Sequence, residues 1–171
     1  MKLINSVVGI ILLSLSIISW AENPSDQMMF HYSGNIIIPS CTVDLPSYTI
    51  NFGSVNVESL ESTGSSTDWR QIHLILSDCT NVNSIELTFS DNASAVSSEY
   101  YSSTGTAKHV AVELLDMAGM TRIKPGATRP QIINGAPGID FVYATRIVND
   151  GSGMATSGTV ESVITINYEF K

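Results

Sequence analysis

The segment GTVESVITINYEFK, residues 158–171, constrains the fold more than any other stretch. Val160, Ile164, Ile166, Tyr168 and Phe170 share one parity, while Thr159, Glu161, Thr165, Asn167 and Glu169 share the other. Side chains alternate across a β-strand, so this pattern predicts a long strand with one apolar face. Shorter runs with the same period recur upstream. They are Tyr48–Phe52, then Ile72, Leu74 and Leu76, then Ile85, Leu87 and Phe89, then Val110, Val112 and Leu114, then Phe141, Tyr143 and Ile147. Clusters such as ESTGSSTDW and IKPGATRP supply turn chemistry between them, and NDGSGMATSG (149–158) reads as a flexible loop. Helical periodicity is hard to find. The pattern predicts one all-β domain, a sandwich of the immunoglobulin type, without internal repeats.

The first 21 residues predict export. Lys2 gives a positive start, Val7 to Ile18 is an almost unbroken apolar run, and Ser19-Trp20-Ala21 ends in a small residue suited to cleavage. A retained N-terminal anchor is the alternative, but the run is short for a membrane span. Cleavage after Ala21 leaves 171 − 21 = 150 residues, a usual size for one domain. Loss of Lys2 leaves 7 basic residues against 16 acidic, a net charge of −9. Such a balance argues against nucleic acid, whose phosphates are met by Lys and Arg, and against an anionic membrane face. Cys41 and Cys79 are the two cysteines, and an even pair in an exported chain predicts a disulfide, with two buried thiols as the alternative.

A seven-stranded sandwich pairs its final strand beside the preceding one. With residues 158–171 counted as the sixth strand, the sandwich has an open slot lined by core side chains. At the other end, MMFHYSGNIIIPSC (28–41) alternates too, with Met28, Phe30, Tyr32 and Ile36 on one parity and Gly34 among them. This is either an internal first strand or a strand with no place in its own domain. A slot and a plug on one chain predict head-to-tail polymerisation by strand addition.

These features, taken together, resemble the chaperone–usher pilins, and among them the minor tip adaptors of type 1 fimbriae. The resemblance covers the whole sequence after residue 21. It rests on YSG seven residues before the first cysteine, CTV after it, LILSDC around the second, STGTAKHVAVELLD in the middle, and SGTVESVITINYEFK at the end. It implies an incomplete immunoglobulin-like β-sandwich lacking its last strand, which is completed by donor-strand exchange. It further implies a signal peptide (1–21), a donor-strand extension (22–38) and a pilin domain (39–171). Met28, Phe30, Tyr32, Gly34 and Ile36 would fill a neighbouring subunit's groove, Gly34 at a shallow part and Ile36 at its mouth. Gly158, Val160, Ile164, Ile166, Tyr168, Phe170 and Lys171 would form the strand that lines the groove and binds a periplasmic chaperone, which holds the carboxylate of Lys171. An outer-membrane usher and neighbouring pilin subunits are the other partners, and the cell-surface fimbrium is the destination. The family usually has Tyr next to last, and this chain has Phe170 there.

Enzyme chemistry has little support. His31, His73 and His109 lack ligand-type spacing, GSGMATSG lacks the lysine of a phosphate loop, and no metal or cofactor is expected. Asp140 and Glu161 are expected on solvated faces, Trp69 at a strand start packing on the core, and Asn92-Ala93-Ser94 as an incidental match to a glycosylation acceptor. The rival readings are a major shaft pilin, a monomeric secreted β-sandwich that binds ligands through its loops, and, with least support, a periplasmic hydrolase.

Overall fold

A computed structural model describes Ser33, Ile36 and residues 38–171. The predicted signal peptide lies outside the described residues, as do Met28, Phe30, Tyr32 and Gly34. Residues 36–171 make one compact unit. Its strands are β1 (Ser40–Val43), β2 (Arg70–Thr80), β3 (Ser84–Phe89), β4 (Tyr101–Ser102), β5 (Val110–Asp116), β6 (Thr121–Arg122), β7 (Thr128–Ile132), β8 (Ile139–Asn149) and β9 (Ile166–Phe170). One sheet runs β1-β2-β8-β5-β4 with β6 also on β5, and the other runs β7-β3-β9. Every pairing is antiparallel. Of the six runs expected, five become strands; β1, β7 and the two-residue strands β4 and β6 are additional, each five residues or fewer and too short to carry a clear period-two signal.

Alternation sets which side chains meet between the sheets. Ile85, Leu87 and Phe89 of β3 are buried, as are Val112 and Leu114 of β5 and Phe141 and Tyr143 of β8. Phe89 meets Tyr143 edge to face with ring centroids 5.8 Å apart, a favourable arrangement of aromatic quadrupoles. A smaller cluster gathers Leu60, Ala107, Val110 and Ile147 at one end, with Phe52, Val55 and Val160 packed on it. Pro130 sits in β7, an edge strand, where a missing N–H removes no interior ladder bond.

The outer face of the larger sheet is tied by charge. Glu113 and Arg146 are register partners on β5 and β8. The buried Glu113 carboxylate accepts from Arg146 Nε at 2.7 Å and from Arg122 Nε on β6. Arg146 lies 4.2 Å over the Trp69 ring and Arg122 lies 5.1 Å over Tyr100. Trp69 does precede β2, but it stacks under this guanidinium rather than entering the core, because its parity is that of His73, whose Nδ1 is 2.8 Å from the Asp140 carboxylate.

Two expectations from composition are corrected. The Tyr48–Phe52 alternation forms no ladder; residues 45–55 make no backbone–backbone hydrogen bond to other described residues. Asn149 is not in a loop. It ends β8, is buried, and its amide donates to the carbonyls of Leu60 and Gly153 at 2.8 and 2.9 Å. The loop after it is pinned by Asp150 to Ser152 and by Ser152 to His109.

Candidate assembly groove

The last strand is built in two parts that share one hydrogen-bonding parity. Thr159 accepts from Ala107 N–H at 3.0 Å and Glu161 from Thr104 N–H at 2.7 Å. Val163 accepts from the Asn92 amide at 2.9 Å and Thr165 from Ser90 N–H at 2.8 Å. Lys171 then exchanges both backbone bonds with Ser84 at 2.8 and 3.0 Å. The register between them pairs Glu169 with Glu86 and Asn167 with Thr88, which antiparallel alternation makes hydrogen-bonded pairs. Odd-numbered residues from 159 to 171 therefore bond inward to the sandwich's existing strands. The even-numbered ones, Ile166, Tyr168 and Phe170 in β9 among them, turn N–H and C=O to the opposite edge, where no described strand pairs with them.

Glycine and hydroxyl groups hold this segment in place. A Cβ on Gly158 would lie 2.5 Å from Ala107 N, at a backbone φ of +155°, and one on Gly105 would lie 2.0 Å from the Thr159 carbonyl oxygen. No other residue fits that crossing without moving backbone. Ser103 Oγ takes the Glu161 N–H at 3.3 Å and Thr106 Oγ1 takes the Thr159 N–H at 2.9 Å. Sequence reasoning singled out Gly158; Ser103, Gly105 and Thr106 lie in the STGTAKHVAVELLD stretch that carries the resemblance, but it assigned them no part in holding the last strand. Their run, SSTGT, has the composition of any turn.

Side chains complete the picture. Val160, Ile164, Ile166 and Phe170 pack on the main core yet remain half-buried. Tyr168 has core-facing parity and is 44% exposed, its ring 5.4 Å from that of Phe170. A strand whose inward face stays partly wet, beside a row of backbone groups that no described strand pairs, is a template for another strand. Phe52, Val55 and Val160 pack on the same small cluster, so the unladdered 45–55 segment shares an end of the sandwich with the start of the last strand.

The remaining predicted positions are placed as follows. Cys41 and Cys79 form a disulfide between β1 and β2, Cα atoms 4.1 Å apart. Ile36, the one described member of the donor set, is fully exposed. Lys171 puts its ammonium 3.0 Å from Glu86 and 3.7 Å from Glu169, and the hydrogen bond to Glu86 holds its pKa above the usual lysine value. Among the described residues no three His, Cys, Asp or Glu side chains are grouped to hold a metal.

Comparison with known proteins agrees with this geometry. The sequence is 29% identical over 163 residues to Protein FimG of Escherichia coli (strain K12), covering 95% of this chain and 96% of that one. Its fold is similar to a chain in the structure of a chaperone–usher pilus (TM-score 0.67, 14% identity, 86% of this chain and 98% of that chain). It is also similar to the P pilus rod subunit PapA (TM-score 0.67, 13% identity, 77% and 99%). These likenesses show the incomplete immunoglobulin-like fold, and the edge of β9 that has no strand partner among the described residues fits it. The model of the family described as "Fimbrial protein" matches residues 30–171. The chain belongs to the fimbrial protein family, as a structural subunit of a surface appendage and not an enzyme.

Proposed function

We propose that the chain is a minor subunit near the tip of a chaperone–usher fimbria, joined to its neighbours by donor strands at both ends. The observation that carries this reading is the even-numbered edge of residues 160–170, apolar on its inner face and without a strand partner among the described residues. The donor strand of the following subunit occupies that edge. This chain's own Met28, Phe30, Tyr32, Gly34 and Ile36, in an extension spanning 22–38 that follows a cleaved 1–21 signal, fill the preceding subunit's groove. Before assembly a periplasmic chaperone covers the same groove, and the usher exchanges one strand for the other.

The energetics suit a permanent joint. Burying each of Met28, Phe30, Tyr32 and Ile36 stabilises by roughly 1.5–3 kcal/mol before ordering costs. Each ladder bond adds about 1 kcal/mol. The tip-adaptor position rests on the sequence resemblance to minor tip adaptors.

Phe30→Asp tests the reading. The variant subunit is expected to fold with chaperone and to accept an incoming donor strand, yet to fail to join the subunit whose groove Phe30 should fill. Incorporation with a neighbour attached through the altered segment would contradict it. Adaptor and shaft are separated by copy number in purified fibres: one or a few copies per fibre for an adaptor, many for a shaft subunit.

A further inference from the structure

The apolar face of the last strand has one polar interruption. Along the even positions Val160, Ser162, Ile164, Ile166, Tyr168 and Phe170, only Ser162 combines a small side chain with a hydroxyl at the inner face. Ser162 Oγ is buried and has no hydrogen-bond partner among the described residues. Val160 and Ile164, on either side of it on the same face, are half-buried and pack on the core. Its own backbone is held from behind, since Glu161 and Val163 bond to Thr104 and Asn92. Hydroxyls elsewhere on this segment's clamp, Ser103, Thr106 and Thr159, all have partners. An unpaired buried hydroxyl costs free energy, and a partner supplied later recovers it.

From this we infer that Ser162 is a specificity-determining residue of the groove, selecting a donor strand that places a hydrogen-bonding side chain (Ser, Thr or Asn) opposite it. The inference rests on the donor-strand reading above and adds a choice among donors to it. An aliphatic donor residue at that place would leave the hydroxyl without a partner; a small polar one would satisfy it. The donor set of this chain is mostly large and apolar (Met28, Phe30, Tyr32, Ile36), so its own segment serves as a neutral frame in which single positions can be changed.

The test uses the full exported chain and synthetic peptides spanning Asp26–Ser40. At each of positions 28, 30, 32, 34 and 36 in turn the peptide carries Val, Ser or Asn, and its dissociation rate is measured. One position is expected at which the Ser and Asn peptides leave about fivefold more slowly than the Val peptide, from one hydrogen bond to an otherwise unpaired group. Ser162→Ala should abolish that preference at that position only, and Ser162→Thr should restore it. Val peptides staying longest at every position, or a preference unchanged in Ser162→Ala, would overturn the inference while leaving donor-strand binding intact. If no peptide binds at all, the donor-strand reading itself fails and this inference with it.

Discussion

β8 and β9 carry similar alternating sequences and end in different states. β8 has β2 on one side and β5 on the other, and Phe141, Tyr143, Ala144, Thr145, Ile147, Val148 and Asn149 are all buried. Among the described residues β9 has β3 on one side only, and none of its five residues is fully buried. Sequence pattern decides which face a strand turns inward. Burial is decided by the neighbours, and β9 has one described neighbour too few. Hydrophobic residues held half-wet beside free backbone groups amount to stabilisation available to a partner, which links the fold to fibre assembly.

Substitutions can break this contrast or sharpen it. Leu114→Ala, in the closed part of the sandwich, should cost about 2–5 kcal/mol by leaving a cavity, and chemical denaturation should give the same cost with or without a donor peptide. A cost that changed markedly with peptide would mean the closed half is not closed. Glu113→Gln weakens the charge-assisted tie between β5, β6 and β8 and should cost about 1–3 kcal/mol, again independent of peptide in the same measurement. Ile166→Ala should behave differently. Its cost in the peptide-free subunit should be about 1 kcal/mol or less, rising by about 1–2 kcal/mol once a donor strand seals the groove. Equal costs in both states would remove the distinction between β8 and β9.

The smallest effect is on pH. Burial raises the pKa values of Tyr101 and Tyr143 well above the usual tyrosine value. A raised folded-state pKa gives stability that is whole below the unfolded value, near pH 10, and is lost as pH climbs toward the folded one. Denaturation midpoints should therefore fall above about pH 10, and Tyr143→Phe should flatten that fall. Both residues belong to the closed core, so donor peptide should leave the alkaline slope unchanged.

Much of this was legible in the sequence. The long strands β2, β3, β5 and β8 follow from period-two runs of Ile, Leu, Val and Phe, and the Cys41–Cys79 bridge from an even cysteine pair in an exported chain. The last strand was legible as one element, but not that it changes partners between Glu161, bonded to Thr104, and Val163, bonded to Asn92 just beyond β3, because side-chain alternation runs unbroken across that point. Tyr48–Phe52 alternates like the others and makes no ladder to described residues, since alternation reports a strand's faces and says nothing of its edges. The Glu113, Arg122 and Arg146 tie was invisible because it depends on two strand registers, β5–β6 for Arg122 and β5–β8 for Arg146, that no local pattern reports. Ser162 looked like one more serine in a polar chain until its burial singled it out.

Amide hydrogen exchange along residues 160–170 tests the central claim most directly. In the purified subunit without donor peptide, Asn167 and Glu169 should be protected and Ile166, Tyr168 and Phe170 should exchange quickly; adding the Asp26–Ser40 peptide should slow those three and leave the other two unchanged. Strong protection of all five amides in the peptide-free monomer would show that the molecule already covers its own edge, and would contradict the account.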